Sequence, residues 1–498
     1  MIKGLLHTLF KKGEYIVPLF LCVWLIGSPP LLGRQSEQVV WNNLYSLDLQ
    51  HPLPANAQHL PANTLHALTT YGLVKTLLYQ GKDEPTAIDN YLSFCEVAIE
   101  SLERLPAYDP RQYHYTAEVY LSRALVHIRS GNTLKGGWQV RKAVRLLSDI
   151  SEGYPDYYDH LPLYGLLQGT LEAVPEEYQW TLPTLGITVE EENGRAIIKK
   201  GISKASGVQK TKGQYLLALG DMYLFENPAL STQQLEELTE NKPQHQLAHH
   251  LLTMLYLKDF KAEKALSHLA YLDKDSLLLT TLPSISYMKG EALLRKGEYH
   301  TAIESFGSFL RLNKGDHLVK DAYFKQGIAW YILGNNEKMK AAFKRAVKEG
   351  EAETGTDRYA LKISGGEEPL PIPALYEARL RMDGGYLNEA EAVLNRLNRT
   401  QRNQLSHDER VEWLYRTARV AHLNRDTTSA ITYYYHTIEA QKKDHYFAPN
   451  ACLQLGYLLK EKDPGASRYY LKKAIDYQGH PYEASIEQKA KAALKELP

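Results

Sequence analysis

Cysteine is scarce in this chain. Its 498 residues hold three, Cys22, Cys95 and Cys452. None lies in a C-x-x-C, which removes a zinc knuckle and a thioredoxin-like redox site from consideration. Cys95 and Cys452 stand far apart in sequence, and nothing in their spacing indicates that they pair. An excess of one charge sign is also lacking. Lys plus Arg and Asp plus Glu both number 58, so the formal net charge is zero. The chain therefore lacks the basic footprint of a nucleic-acid binder, and no nucleic-acid partner is expected. Phenylalanine is rare, 10 against 35 tyrosines. Most aromatic positions thus carry a polar tip, which suits helix packing and wet interfaces. No apolar run reaches the ~20 residues that span a bilayer. The nucleophile elbow G-x-S-x-G and the P-loop are both missing.

The amino terminus has the layout of a secretory signal. Lys3, Lys11 and Lys12 precede an apolar stretch from Tyr15 to Ile26, and Gly27, Ser28, Pro29 and Pro30 follow. A positive start, about a dozen apolar residues and a small-residue exit describe a cleaved leader. Residues 1–33 are expected to be removed near Gly33, leaving a mature chain that starts near Arg34 in an exported, periplasmic or cell-envelope compartment. An uncleaved stretch would be the chain's one route to a membrane.

What the sequence has in quantity is a recurring order of small and large side chains. GEALLRKGEYHTAIESFGSFL places Gly290, Gly297 and Ala302 among Leu293, Tyr299 and Phe306. This is the layout of a helical hairpin of about 34 residues, the tetratricopeptide unit. A small residue sits where two helices touch, a Gly ends the first helix, and an Ala lets the second close on it. Large residues fill the space between, as interlocked packing requires. The following unit repeats the roles with Tyr323, Gly327, Trp330, Gly334, Phe343 and Ala346. Further copies carry Ala124, Gly131 and Ala143; Ala378, Gly385 and Ala390; Ala418, Ala430 and Tyr434; and Gly456, Leu471 and Ala474. Fainter hairpins lie at Leu65–Leu102, Tyr215–Leu238 and Leu247–Leu272.

The length alone suits about three domains or one long repeat array, and the repeats decide for the array. The expected fold is all-α, an α-solenoid of tetratricopeptide-like hairpins in which each unit buries its face against its neighbours. Two stretches interrupt the pattern. Residues 154–194 hold Pro155, Pro162, Pro175 and Pro183 and read as a proline-rich linker with short helices. Within it, Asn193-Gly194 marks either a β-hairpin or a loop leading into a helix. Residues 349–373 read as a loop. The expected organisation is a leader over 1–33, amino-terminal hairpins over 34–153, the linker over 154–194 and the main array over 195–498.

SGNTLKGGWQVRKAVRLL, YGLLQGTLEAVPEEYQWTLPTLGI, SYMKGEALLRKGEYHTAIESF and the closing FAPNACLQLGYLL together resemble the tetratricopeptide repeat protein 39 and inclusion-body-clearance family. That resemblance implies an all-helical, non-enzymatic adaptor without cofactors or catalytic residues. The leader departs from the family, so its cellular location is not carried over.

Two places are candidates for function. In KPQHQLAHHLL, His245 and His249 are four apart, on one helical face, which is metal-ligand spacing. A metalloprotease would need Glu at position 246 as general base, and Gln246 stands there. A metal-dependent hydrolase is therefore the rival to a binding role, and a purely structural assembly subunit is another. The favoured site is the concave groove formed by the first helices. Its register gives Tyr287, Glu291 and Arg295, then Phe324, Ile328 and Tyr331, then Tyr415, Arg419 and His422. Aromatic and Arg side chains are frequent interface anchors, and the expected partner is a protein or peptide. The Lys/Asn clamp with which some tetratricopeptide domains grip a terminal carboxylate is absent from these positions.

Overall fold

The computed structural model describes residues 37–497, apart from 50–51, 55–56, 79–83, 175–178, 185–186, 188, 191, 226, 228, 353, 401 and 442–444. The expected leader, and Cys22 with it, lie outside the described residues. Helix α1 (Glu37–Tyr45) precedes the pairs α2 (Ala62–Leu78) with α3 (Glu84–Leu102) and α4 (Pro110–Arg129) with α5 (Thr133–Gly153). Then come α6 (Leu161–Glu172), the single turn α7 (Thr181–Thr184) and α8 (Gly194–Lys204). The pairs α9 (Gly207–Tyr223) with α10 (Ala229–Asn241) and α11 (Gln246–Lys258) with α12 (Ala262–Leu272) lead to α13 (Ser276–Thr281). The rest is α14 (Ser284–Lys296) with α15 (Tyr299–Leu312), α16 (Val319–Ile332) with α17 (Asn336–Lys348), a lone α18 (Gly355–Ser364), α19 (Pro373–Asp383) with α20 (Leu387–Thr400), α21 (His407–Leu423) with α22 (Thr427–Ala440), α23 (Phe447–Leu459) with α24 (Pro464–Asp476), and α25 (Glu483–Lys495). No strand occurs among the described residues. The molecule is an all-α solenoid of helical hairpins.

The small residues do what their spacing predicts. Ala143, Ala265, Ala302, Ala346, Ala390, Ala430 and Ala474 each stand on the second helix of a pair, and each is at most 1 % exposed. A Cβ added at Gly290 would lie 2.8 Å from the Phe306 ring, and one at Gly327 would lie 2.4 Å from the Phe343 ring. The first helix therefore reaches the second only where a side chain is missing. The turns follow a second rule. Gly131, Gly297, Gly334 and Gly385 adopt φ of +77°, +82°, +76° and +83°, the left-handed conformation that ends a helix at little cost only for glycine. In the α11–α12 and α21–α22 turns the same conformation is held by Phe260 and Arg425, at +56° and +64°. Those two turns carry no glycine signal, although the geometry is the same.

Three expectations need correction. Residues 154–194 are not a linker. Helix α6 is buried along nearly its whole length, and Pro162 stands in its first turn, where proline starts a helix rather than breaks one. The helix meets α8 at glycine: a Cβ on Gly165 would lie 2.5 Å from the Gly194 carbonyl oxygen. Asn193 opens α8 by accepting the Arg195 N–H at 3.0 Å, the loop-into-helix alternative. Residues 349–373 are not all loop either. Thr354 caps α18 through the Asp357 N–H at 3.0 Å. The fully buried Asp357 carboxylate in turn accepts the N–H groups of Leu318 at 2.9 Å and Asp321 at 3.0 Å. Helix α18 is thus a cap for the start of α16, supplied from another helix.

The third correction concerns the strictly neighbour-to-neighbour stacking. One continuous core runs from Val40 to Leu380, whereas the carboxy-terminal hairpins carry three smaller cores in succession. Within the large core, distant pairs meet. Ala262 N–H donates to Gly384 O at 3.1 Å, Tyr386 OH to Glu263 at 2.8 Å, and Arg295 to Asp383 O at 3.1 Å. The α19–α20 turn therefore clasps the α11–α12 turn across two intervening hairpins. At the other end, Tyr45 stacks on His245 at 4.5 Å between ring centres, which ties α1 to the start of α11. Cys95 and Cys452 are free and buried.

Candidate partner-binding surface

The inner face of the first helices is where a groove is expected, and in the centre of the array it is filled. Tyr287 donates to Asp321, and Lys325 sits between Asp321 at 2.7 Å, the Tyr287 hydroxyl at 2.7 Å and the carboxylate of Glu291. Arg295 approaches Glu291 at 3.6 Å and donates to Leu257 O at 2.6 Å. Burial alone would raise the Glu291 pKa, but Lys325 and Arg295 beside it prevail and hold it at about 2. Asp321 is shifted the other way, up, because its burial outweighs Lys325. The network ties α14 to α16 and leaves none of these charges free for a ligand.

Most of the expected groove residues are thus structural in the free chain. Tyr287, Phe324, Ile328 and Tyr415 are buried, which corrects their assignment as outward-facing anchors. Phe324 stacks on Phe343 and meets the edge of Tyr359, while Tyr415 packs on Phe447 and Tyr446. Tyr331 donates to Pro371 O at 3.2 Å, and His422 shares a hydrogen bond with Tyr434 at 3.1 Å. The physical reason is packing inside and between hairpins: Tyr287 and Phe324 are covered by rings of their own second helices, Phe306 and Phe309 for the one and Phe343 for the other, and Tyr415 by the start of the next hairpin.

Arg419 leads toward open surface. It donates to Gln454 Oε1 at 2.9 Å, and Gln454 donates to Asn450 Oδ1 at 3.3 Å. Both carboxamides belong to α23 and line a cleft of about 330 Å³ between α23 and α25. Leu453 and Ile486 are its buried floor, and Tyr457 and Tyr482 stand at its rim, 41 % and 58 % exposed. Ser485 and Lys489 complete the wall. Tyr482 holds a left-handed backbone, φ +66°, and its ring meets Tyr446 edge-on at 5.3 Å. Asn450 and Gln454 fall 35 positions after Tyr415 and Arg419. Carrying the groove register one repeat further would have found them.

A second dense group of titratable side chains lies elsewhere and is closed to solvent. Glu118 on α4 meets His66 of α2, Lys212 of α9 and His114 at 2.9 Å. Burial pushes the Glu118 pKa up, yet His66, Lys212 and His114 together hold it well below the usual carboxylate range. All four are at most 2 % exposed, so the group joins three helices and presents nothing to a substrate. His245 and His249 do not converge on a shared centre. His245 stands at the N-cap position of α11, makes no side-chain capping bond, and faces Tyr215 and Tyr45. His249 donates through Nε2 to Pro243 O at 3.1 Å, so its Nδ1 accepts from His268 at 2.8 Å. Among the described residues no group of three or more His, Cys, Asp or Glu is placed to hold a metal ion, and no helix is long and apolar enough to cross a membrane.

A solenoid of hairpins with a polar cleft at one end defines a helical-repeat protein. Residues 287–353, spanning α14 to α17, match the family model described as tetratricopeptide repeat. Such repeats generally mediate protein–protein interaction and are typically non-enzymatic. No curated protein matches the chain. Among solved structures it is similar to the tetratricopeptide domain of P58(IPK), at 14 % identity over 82 % of this chain and 94 % of that one, with a TM-score of 0.22. It is also similar to the human IFIT1 dimer with PPP-AAAA, at 12 % over 93 % and 95 %, TM-score 0.32. A third is the APC/C hetero-tetramer Cut9–Hcn1, at 14 % over 92 % and 93 %, TM-score 0.25. Scores this low say nothing about the partners of this chain.

Proposed function

We propose that the protein is a non-enzymatic scaffold that holds an extended polypeptide segment in the cleft between α23 and α25. The observation that carries this reading is the pair of carboxamides, Asn450 and Gln454, one turn apart over an apolar floor and beneath exposed tyrosine rims. A carboxamide offers both a donor and an acceptor, which matches the alternating N–H and C=O groups of an extended backbone. Tyrosine adds contact area with little rotamer entropy to lose. The site of action is an exported compartment, supported by the leader-like order of residues 1–33. Kinship with the tetratricopeptide repeat protein 39 and inclusion-body-clearance family rests on the quoted sequence stretches.

Selection from a random peptide library on the immobilised full chain tests the cleft. Binding peptides are expected, with at least about tenfold weaker binding to the Asn450→Ala/Gln454→Ala variant and little change for Glu304→Ala on the outer face of α15. Peptides that bind both variants alike would refute the cleft. Amino-terminal sequencing of the protein recovered from its native cell tests export, with a mature start near Arg34 expected.

A further inference from the structure

Helix α5 presents four basic side chains with no acidic partner among the described residues. Positions 134, 138, 141 and 145 follow one another at spacings of four, three and four, so Leu134, Trp138, Arg141 and Arg145 share a face, flanked by Lys135 and Lys142. Leu134 is 41 % exposed and Trp138 54 %. Elsewhere on the surface, basic side chains commonly meet a carboxylate, as in Arg345 with Glu349 or Lys491 with Glu487. Lys135, Arg141, Lys142 and Arg145 form no ion pair with any described residue. Arg141 instead lies over the Trp138 ring at 5.5 Å, and Lys142 lies over Tyr120 at 4.8 Å. Arg123, one turn earlier on α4, and Lys135 on α5 both lie near the buried His127, and its pKa is lowered by burial first and by these two cations next. In a chain of zero net charge, this is a local concentration of positive charge around an exposed indole and an exposed leucine.

We propose that this face of α5 docks on an anionic lipid surface. The geometry favours a lipid surface over an acidic polypeptide. The face is the outer ridge of a second helix, with no trough to hold an extended chain. Its apolar side chains sit one turn apart with four cations beside and after them, and one exposed carboxylate, Asp149, a turn beyond Arg145; apolar and basic side chains on one face are the arrangement of helices that lie in a membrane interface. Trp prefers that depth, and basic residues supply attraction to anionic headgroups, roughly fivefold in binding for each one near the surface.

Cosedimentation of the full chain with vesicles tests the proposal. Phosphatidylcholine vesicles containing about one third phosphatidylglycerol are compared with pure phosphatidylcholine at about 0.1 M salt. The apolar stretch Tyr15–Ile26 and the lysines before it, Lys3, Lys11 and Lys12, are common to every variant, so the quantity read is the ratio and its change on substitution. A preference of at least about tenfold for anionic vesicles is expected. It should collapse toward unity in high salt and fall at least about fivefold in K135E/R141E/K142E/R145E. Trp138→Ala should weaken binding several-fold while keeping the preference. A matched reversal on α17, K338E/K340E/K344E/K348E, should keep the preference as well. Equal binding to both vesicles by the unaltered chain overturns the proposal, as does loss of the ratio in the α17 variant, which would assign it to overall charge. Binding to polyglutamate that the α5 variant loses, without any vesicle preference, would reassign the face to an acidic polypeptide.

Discussion

Mild acid should loosen this protein from the middle of its array. His160, His245 and His250 are all buried, at 1 %, 4 % and 8 % exposure. Burial pushes their pKa values down, to about 3 for His160 and about 4 for the other two. In the unfolded chain each titrates near 6.5. The folded state therefore resists protonation while the unfolded state accepts it. Their contribution is fully present above pH 6.5 and is lost progressively as pH falls toward the folded values. Between pH 7.5 and pH 5 each histidine costs about 2 kcal/mol, roughly 6 kcal/mol for the three. That is comparable to the whole stability of many domains. The depressed carboxylates Glu118 and Glu291 do not contribute in this window, since their stabilisation is lost only below about pH 4.5. His250 lies on α11 with His249, which bonds to His268 of α12, and His245 stands immediately before that helix, so the opening should start there. Hydrogen exchange read by mass spectrometry, corrected for intrinsic rates, should show residues 246–272 losing protection at pH 5 before residues 284–348. The His250→Leu variant removes one titrating group whose Nδ1 has no hydrogen-bond partner, and about 2 kcal/mol of the pH dependence between pH 7.5 and pH 5 should go with it. Protection that is the same at both pH values, or an unchanged slope in His250→Leu, would refute the reasoning.

Ala302→Leu should overpack the α14–α15 hairpin and cost about 1–3 kcal/mol, measured by thermal unfolding with ordinary behaviour at residues beyond 405. Lys212→Met leaves Glu118 with only its histidines in a dry site, and a loss of about 3 kcal/mol in denaturant unfolding is expected; pairing it with Glu118→Gln should recover part of that loss. Asp357→Ala strips the Leu318 and Asp321 N–H groups of their acceptor, costing about 2 kcal/mol and raising exchange in the first turn of α16.

The hairpins were legible because their signals are local. Ala302 and Gly297 act within one pair of helices, and their spacing survives in the sequence. The turns at Phe260 and Arg425 were illegible for a related reason: nothing in the residue type announces a left-handed backbone, and only the surrounding helices impose it. Pro162 misled because proline at a first turn and proline as a breaker look alike in sequence. The groove residues failed at a higher level. Whether Tyr287 faces a partner or Asp321 depends on how tightly one hairpin curls onto the next, which no single repeat encodes. Asn450 and Gln454, by contrast, occupy the groove register in a repeat whose neighbour, α25, leaves space beside them.

The clasp between Gly384 and Ala262 divides the molecule mechanically. Everything from α1 to α19 is cross-braced, so tension along that stretch must break distant contacts before any hairpin separates. Among the described residues, the hairpins after it are joined mainly in series, each to the next. A pull on the carboxy terminus would therefore peel them off one at a time while the braced part stays rigid, and the cleft at Asn450 would ride on the compliant arm.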